Sequence, residues 1–163
     1  MKSTYLLLFA FCGFILTTSA QDIAPNAIGL RLGDSRDFGA EISYQRAILD
    51  NNRIELNFGW RNGKNYNGVK LVGMFQWVWN IDGGFNWYAG PGIGLGAYRF
   101  DNPGGQYFRD SFVFLSGAVG IEYKFDIPLL LSLDIRPELG FGDAVYDNND
   151  LDFDIGLGIR YTF

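Results

Sequence analysis

From residue 27 to residue 163 the chain consists of segments of about ten residues in which apolar residues alternate with polar or small ones. The pattern is clearest in the last segment, where every second residue is apolar: Leu157, Ile159, Tyr161 and Phe163. Successive side chains of a β-strand point to opposite faces of the sheet, so a period of two indicates strands. The 3.6-residue spacing of an amphipathic helix is almost absent. The sequence therefore predicts an all-β fold.

Eight such segments can be delimited, and short and longer polar connections alternate between them. The predicted strands lie near residues 27–33, 38–48, 53–61, 69–81, 85–99, 112–125, 129–142 and 151–163. Short turns are predicted at residues 49–52, 82–84 and 126–128, and longer loops at residues 34–37, 62–68, 101–110 and 143–150. This order predicts an eight-stranded antiparallel up-and-down barrel, because closure of the last strand on the first removes both sheet edges.

The contents of the two faces favour a transmembrane β-barrel over a soluble one. Four glycines share the polar face of one predicted strand: Gly90, Gly92, Gly94 and Gly96. They suit the narrow interior of an eight-stranded barrel, where Tyr88 and Tyr98 are expected to lie over them. Aromatic residues crowd around the turns at residues 82–84 and 126–128, as in the interfacial girdles of membrane barrels. The apolar face is therefore expected to contact lipid, and the polar face to line the lumen.

The first twenty residues have the pattern of a cleaved secretory signal peptide. Lys2 supplies a positive charge, residues 5–16 are apolar, and small residues lead up to a cleavage site after Ala20. Twelve apolar residues at 1.5 Å rise span about 18 Å, too little for a hydrocarbon core of about 30 Å. The predicted organisation is a signal peptide over residues 1–20 and one barrel domain over residues 21–163.

Composition excludes several kinds of site from the predicted mature chain. Cys12, the only cysteine, lies in the signal peptide, so no disulfide or thiolate metal site is expected. The absence of histidine disfavours a serine-hydrolase triad and a histidine-based lipid deacylase. A net charge of −5 without a basic patch gives no reason to expect nucleic acid. No cofactor is expected, because no helix follows the glycines at 92–96 as a dinucleotide site requires.

Pro91 and Pro137 stand inside two of the predicted strands. Proline has no N–H for a strand ladder and is normally confined to edge strands or bulges. Every strand of a closed barrel has two neighbours, so each proline is expected to mark either a bulge or a local break in pairing.

Charged residues of both signs fall on the polar face, which lines the predicted lumen. Nine are assigned to it: Arg31, Glu41, Glu55, Lys70, Glu122, Asp134, Arg136, Glu138 and Arg160. Buried charges must pair or be hydrated, so these residues predict a salt-bridge and hydrogen-bond network that plugs the lumen. A narrow or gated channel is the alternative. An enzyme that uses paired acids inside the barrel is a further interpretation of these charges, and a lipid-modifying enzyme is the third hypothesis for the function.

A run of five aspartates occupies the last predicted loop and the strand after it: Asp143, Asp147, Asp150, Asp152 and Asp154. Carboxylate oxygens are ligands for calcium, although the spacing matches no EF-hand. The expectation is a solvated external loop that runs into the polar face of the lumen, with no bound metal. A cation site is the alternative.

Four segments carry a resemblance to a known family: WYAGPGIGLG at 87–96, GIEYKF at 120–125, LDIRPE at 133–138 and GIRYTF at 158–163. Through them, residues 26–163 resemble the small outer-membrane β-barrel domain proteins of Gram-negative bacteria, of the OmpA/OmpX type. The resemblance implies a monomeric integral protein of the outer membrane with short periplasmic turns and longer outer loops. It implies a structural or surface-interaction role rather than catalysis.

The resemblance also implies how the barrel is assembled. In the family, a terminal aromatic residue preceded by apolar residues at alternate positions is read by the barrel-insertion machinery. Leu157, Ile159, Tyr161 and Phe163 match this signal position by position. The expected partners are therefore periplasmic chaperones and the barrel-assembly machinery during biogenesis, and outer-membrane lipid afterwards.

Overall fold

The computed structural model describes residues 23–35, 38–62, 66–101, 107–141 and 151–163, so the predicted signal peptide lies outside the described residues. Eight strands follow one another along the chain: β1 (Asn26–Ser35), β2 (Phe38–Leu49), β3 (Asn52–Asn62), β4 (Tyr66–Asp82), β5 (Phe85–Asp101), β6 (Tyr107–Lys124), β7 (Leu129–Phe141) and β8 (Leu151–Thr162). Within these ranges no helix is long and apolar enough to cross a membrane.

The strands form one closed barrel in which each strand pairs antiparallel with its neighbours in the sequence. Closure joins β1 to β8 over seven residue pairs, from Ala27 opposite Thr162 to Gly33 opposite Gly156. No strand among the eight is left with an unpaired edge. The predicted eight-stranded up-and-down barrel is therefore confirmed.

Two predicted loops are shorter than the sequence indicated. β4 begins at Tyr66 and β6 begins at Tyr107, so the predicted loops at residues 62–68 and 101–110 are partly strand. The β5–β6 hairpin continues to the pair Asp101–Tyr107, beyond the end of the apolar alternation. Backbone pairing does not require an apolar face, which is why alternation underestimates the length of strands.

The barrel places apolar side chains outside and charged side chains inside. On β1, for example, Leu30 is 48% exposed whereas its neighbour Arg31 is completely buried. On β8, Ile155 is exposed and Asp154 is buried in the same way. In water this arrangement would leave a continuous apolar surface unburied, but in a bilayer the surface faces hydrocarbon while every strand stays paired. The predicted orientation of the two faces is therefore found.

Pro91 interrupts pairing between β4 and β5 without a bulge. The register is the same on both sides of it, with Met74 opposite Gly92 and Trp77 opposite Ala89. On its other side, toward β6, Pro91 stays in register. The proline therefore breaks pairing with one neighbour only, because its missing N–H affects a single side of the strand.

Pro137 interrupts the β6–β7 pairing in the same manner. The register between those strands is unchanged across it, whereas Pro137 is paired with Phe153 on the β8 side. Near this break the Ser116 hydroxyl donates a hydrogen bond of 3.2 Å to the Gly117 carbonyl. Of the two alternatives for the prolines, the structure shows a local break in pairing.

The aromatic residues expected at the strand ends form ring pairs on the barrel surface. Trp79 stacks on Trp87 with ring centroids 4.2 Å apart, and Phe85 contacts Tyr123 at 4.5 Å. These pairs lie next to the tight β4–β5 turn, where Gly83 adopts the left-handed conformation with a φ of 51°. The end of the barrel that carries the short turns, together with the start of β1 and the end of β8, is called the short-turn end.

Candidate functional site

The centre of the lumen is organised around the carboxylate of Glu55 on β3, which is completely buried. Its Oε1 accepts hydrogen bonds from Arg136 Nη2 at 2.6 Å and from Arg160 Nη2 at 3.0 Å. Its Oε2 accepts from the side-chain amides of Gln45 at 2.8 Å and Gln76 at 3.0 Å. One carboxylate thus links β2, β3, β4, β7 and β8, and both of its oxygens are satisfied.

Arg160 uses the rest of its guanidinium to join β8 to two further strands. Its Nε donates to Ser43 Oγ at 2.8 Å, and its Nη1 donates to Ser132 Oγ at 2.7 Å. Gly158 makes this possible, because a Cβ there would collide with the Ser132 hydroxyl and the Arg160 guanidinium. The glycine on the inner face therefore provides the space that the arginine occupies.

Arg31 on β1 forms a second centre with two aspartates. Its Nη2 and Nε donate to Asp134 Oδ1 at 2.5 and 3.0 Å, and its Nη1 donates to Asp154 Oδ2 at 2.5 Å. The guanidinium lies over Gly156, where a Cβ would collide with it. A bidentate arginine between two carboxylates is among the strongest hydrogen-bonded arrangements in proteins, and here it ties β1 to β7 and β8.

A third group of ions lies toward the short-turn end. Arg53 Nη2 is 2.7 Å from Glu122 Oε2, and Arg53 Nε donates to the Gln76 side-chain carbonyl at 2.6 Å. The guanidinium also lies over the Tyr88 ring, with Cζ 4.7 Å from its centroid. The Tyr88 hydroxyl donates to Asp134 at 3.0 Å and so connects this group to the Arg31 centre.

Glu41 is held more loosely than the other buried acids. Its oxygens lie 3.8 Å from Arg31 Nη1, 3.9 Å from Lys70 Nζ and 3.6 Å from Arg136 Nη1. Neither oxygen accepts a hydrogen bond from any residue that the structure describes. Lys70 instead donates to Glu138 at 2.7 Å. Three cations therefore surround Glu41 at ion-pair distance, and each is hydrogen-bonded to another acid.

All nine charged residues assigned to the lumen from the sequence are buried in it, within one connected network. Among the residues that the structure describes, two further buried charged residues, Arg53 and Asp154, belong to the network but are not among the nine predicted for it. Arg53 is in phase with Glu55, so the alternation on β3 could have identified it. Asp154 is in phase with Arg160, but it was interpreted together with the acidic loop. It pairs with Arg31 instead, and Asp143, Asp147 and Asp150 lie outside the described residues.

One wall of the lumen is apolar, a feature that the sequence pattern does not predict. Its buried residues come from β4, β5 and β6: Val72, Met74, Val78, Tyr88, Tyr98, Phe112, Phe114 and Ala118. The prediction that Tyr88 and Tyr98 lie over the glycines at positions 90–96 was wrong. Phe114 lies over Gly94 and Phe112 over Gly96, whereas Tyr88 lies against Gly120. The apolar alternation assigns phenylalanine to the lipid face, so it does not identify phenylalanines that point into the lumen.

The chemistry available inside this barrel is limited. No group of three or more potential metal ligands occurs in the described ranges. Every buried carboxylate of the described lumen lies within 4 Å of a guanidinium or ammonium nitrogen. The arrangement joins strands across the lumen.

The four alternate residues predicted to form an assembly signal lie on the outer face of β8 and its end. Leu157, Ile159, Tyr161 and Phe163 are all exposed, and the rings of Tyr161 and Phe163 stack with centroids 6.2 Å apart. The backbone of Phe163 exchanges two hydrogen bonds with Asn26, at 3.0 and 3.1 Å. The final residue thus belongs to the β1–β8 seam and presents its side chain outward.

Comparisons with known proteins identify the fold but no sequence relative. No family model matches the chain, and no curated protein matches it. The N-terminal β-barrel domain of Pseudomonas aeruginosa OprF superposes with a TM-score of 0.68 at 15% identity, covering 85% of this chain and 96% of that one. Neisserial surface protein A superposes with a TM-score of 0.57 at 14% identity, covering 85% and 94%.

A third structure, the Yersinia pestis outer membrane protein Ail in a phospholipid bilayer nanodisc, gives a TM-score of 0.50 at 16% identity. The superposition covers 86% of this chain and 100% of that one. All three neighbours are matched over nearly their whole length. The resemblance noted in the sequence is confirmed at the level of architecture: the chain has the fold of the small eight-stranded outer-membrane β-barrels.

Proposed function

We propose that this chain is a monomeric integral protein of the bacterial outer membrane, with a lumen plugged by its own side chains and a structural or surface-interaction role. The observation that carries the proposal is the buried charge network, with Glu55, Arg31 and Arg53 at its three centres. Opposite charges joined across an interior by direct hydrogen bonds leave no continuous path for water. The apolar wall occupies the remaining side.

The outer surface supports the membrane location. Exposed apolar side chains occur on all eight strands, and a bilayer is the environment in which such a surface is not penalised. We take the short-turn end as periplasmic, in line with the short periplasmic turns typical of this class. The connections at the other end have two to nine residues by the strand bounds, too few for a large adhesive surface.

A narrow or gated channel is the second candidate function, and Glu41 is the observation that favours it. Its three cationic neighbours lie at 3.6–3.9 Å without a hydrogen bond to it, so this part of the plug has alternative pairings. We propose no catalytic role and no cofactor, because the carboxylates are paired with cations and the sequence has no histidine.

Fractionation combined with gel mobility tests the proposal. The protein should be recovered from the outer membrane and, extracted without heating, should migrate faster than after boiling, because a closed barrel stays folded in detergent. Recovery as a soluble periplasmic protein, or one mobility before and after boiling, would contradict it.

A further inference from the structure

The three residues before β1 lie across the short-turn end of the lumen and are called the N-terminal strap, residues 23–25. The Pro25 carbonyl accepts a hydrogen bond of 3.0 Å from Ala47 N on β2. The next residue, Asn26, exchanges backbone hydrogen bonds with Phe163 and accepts one of 2.8 Å from the Tyr44 hydroxyl. The base of the strap is thus fixed to strands on both sides of β1.

The Ile23 side chain turns toward the interior rather than toward lipid. It is partly buried and packs against the apolar cluster of the lumen. With Ala24 it lines a cavity of about 10 Å³ whose other walls include Arg53, Glu122 and Leu130. A space of that size holds one water at most. The strap therefore separates the Arg53–Glu122 ion pair from the solvent beyond the short-turn end.

We propose that the N-terminal strap is a stopper that closes the short-turn end of the lumen and opens independently of the barrel. The strap has few backbone hydrogen bonds, whereas each strand pairs with both of its neighbours over at least seven residue pairs. Segments with few such bonds open at lower free energy. Opening exposes the Arg53–Glu122 pair to water while the barrel stays closed. The proposal relies on the proposed function only in taking this end as periplasmic.

The labelling rate of a single introduced cysteine tests the stopper. A chain that starts at Gln21 has no cysteine of its own, because Cys12 is the only one in the sequence. Leu130→Cys places the reporter beside Ile23, at a residue that is 3% exposed. Val72→Cys is the matched control, an equally buried apolar residue of the inner face that does not line the cavity under the strap. Each variant is made in two lengths, one that starts at Gln21 and one that starts at Pro25, and both are refolded in lipid vesicles.

Removal of residues 21–24 should raise the labelling rate of Leu130→Cys by a small water-soluble thiosulfonate about tenfold or more, since local opening is then no longer required. The rate for Val72→Cys should stay the same. Equal rates for Leu130→Cys in the two chains would overturn the proposal, and so would a parallel rise at both positions, which would mean that the barrel itself had loosened.

Ile23→Asp in the full chain is a second test that keeps the backbone of the strap. It should raise Leu130→Cys labelling, whereas Ile23→Leu should not. Rapid labelling of Val72→Cys in the intact chain would instead count against the plugged lumen, because that residue does not line the cavity under the strap. The two proposals can therefore fail separately.

Discussion

At Glu55 a single carboxylate receives hydrogen bonds from two arginines and two glutamines that come from four other strands. Removing one member of such a buried group leaves its partners charged or polar without a counterpart, which costs more than the pair contributes in net stability. Glu41 has the same charge and burial but no hydrogen bond from a described residue. Substitutions of the two acids can therefore be compared directly, because they differ mainly in hydrogen bonding.

Glu55→Ala should destabilise the barrel by about 3–5 kcal/mol, because Arg136 and Arg160 are left underpaired in the interior. Glu41→Ala should cost clearly less, since each of its three cationic neighbours keeps a hydrogen-bonded acid. Urea titration of the refolded proteins in lipid vesicles measures both. Equal costs would show that hydrogen bonding does not determine which acid holds the network together.

At this scale the sequence predicted which charges face the lumen but not which of them pair. The face on which a residue lies follows from the alternation along its strand, so Arg31 and Asp134 could be assigned to the lumen without a structure. Their pairing joins residues 103 positions apart and depends on how β1 and β7 are placed around the closed barrel. Arg53 was not predicted to face the lumen because it is the first residue of a predicted strand and follows a turn.

Each strand has one face toward lipid and one face toward the lumen. On β7 the outward residues are exposed or half-buried and the inward residues are buried, in strict alternation from Leu129 to Phe141. Such alternation was sufficient to predict all eight strands and the face on which their charged residues lie, but not the apolar residues that β4, β5 and β6 direct into the lumen. The ends of β4 and β6 were not predicted, because pairing continues where the apolar pattern stops. The sequence of β7 also left open whether Pro137 marks a bulge or a break in pairing, and the structure shows a break.

Ile135 is the central residue of β7 and faces outward. Ile135→Arg should reduce the free energy of unfolding in vesicles by about 2–4 kcal/mol, the cost of arginine near the bilayer midplane on the lipid face. Ile135→Ala controls for the lost side-chain volume and should cost less. Arginine and alanine variants of equal stability would mean that this face does not contact lipid.

The outer face of β8 allows assembly to be separated from stability. Replacing both Tyr161 and Phe163 by serine keeps their backbone hydrogen bonds, and we expect a larger loss of outer-membrane protein in cells than of refolding yield in detergent. Leu151→Ser with Phe153→Ser makes a comparable change at the opposite end of the same face. That control should affect both readouts alike. Normal cellular levels of the Tyr161 and Phe163 variant would remove the assembly role from these residues.

The molecule as a whole is a closed apolar surface around a polar and partly aromatic filling. Closure removes the sheet edges, the outer residues face hydrocarbon, and five buried cations of the described lumen lie among six buried carboxylates. At an effective dielectric of about 20, a carboxylate and a guanidinium about 4 Å apart attract by roughly 4 kcal/mol before desolvation is subtracted. Several such pairs connected in one network oppose the opening of a water path.

Conductance in planar bilayers is the most direct test of the filled lumen. The intact protein should give no stable ohmic steps if, as we propose, the ion pairs and the apolar wall close the lumen to water. Incorporation is verified in the same preparation by the heat-dependent gel mobility of the folded barrel. Reproducible single-channel steps that scale with salt concentration would contradict the account and identify the protein as a small channel.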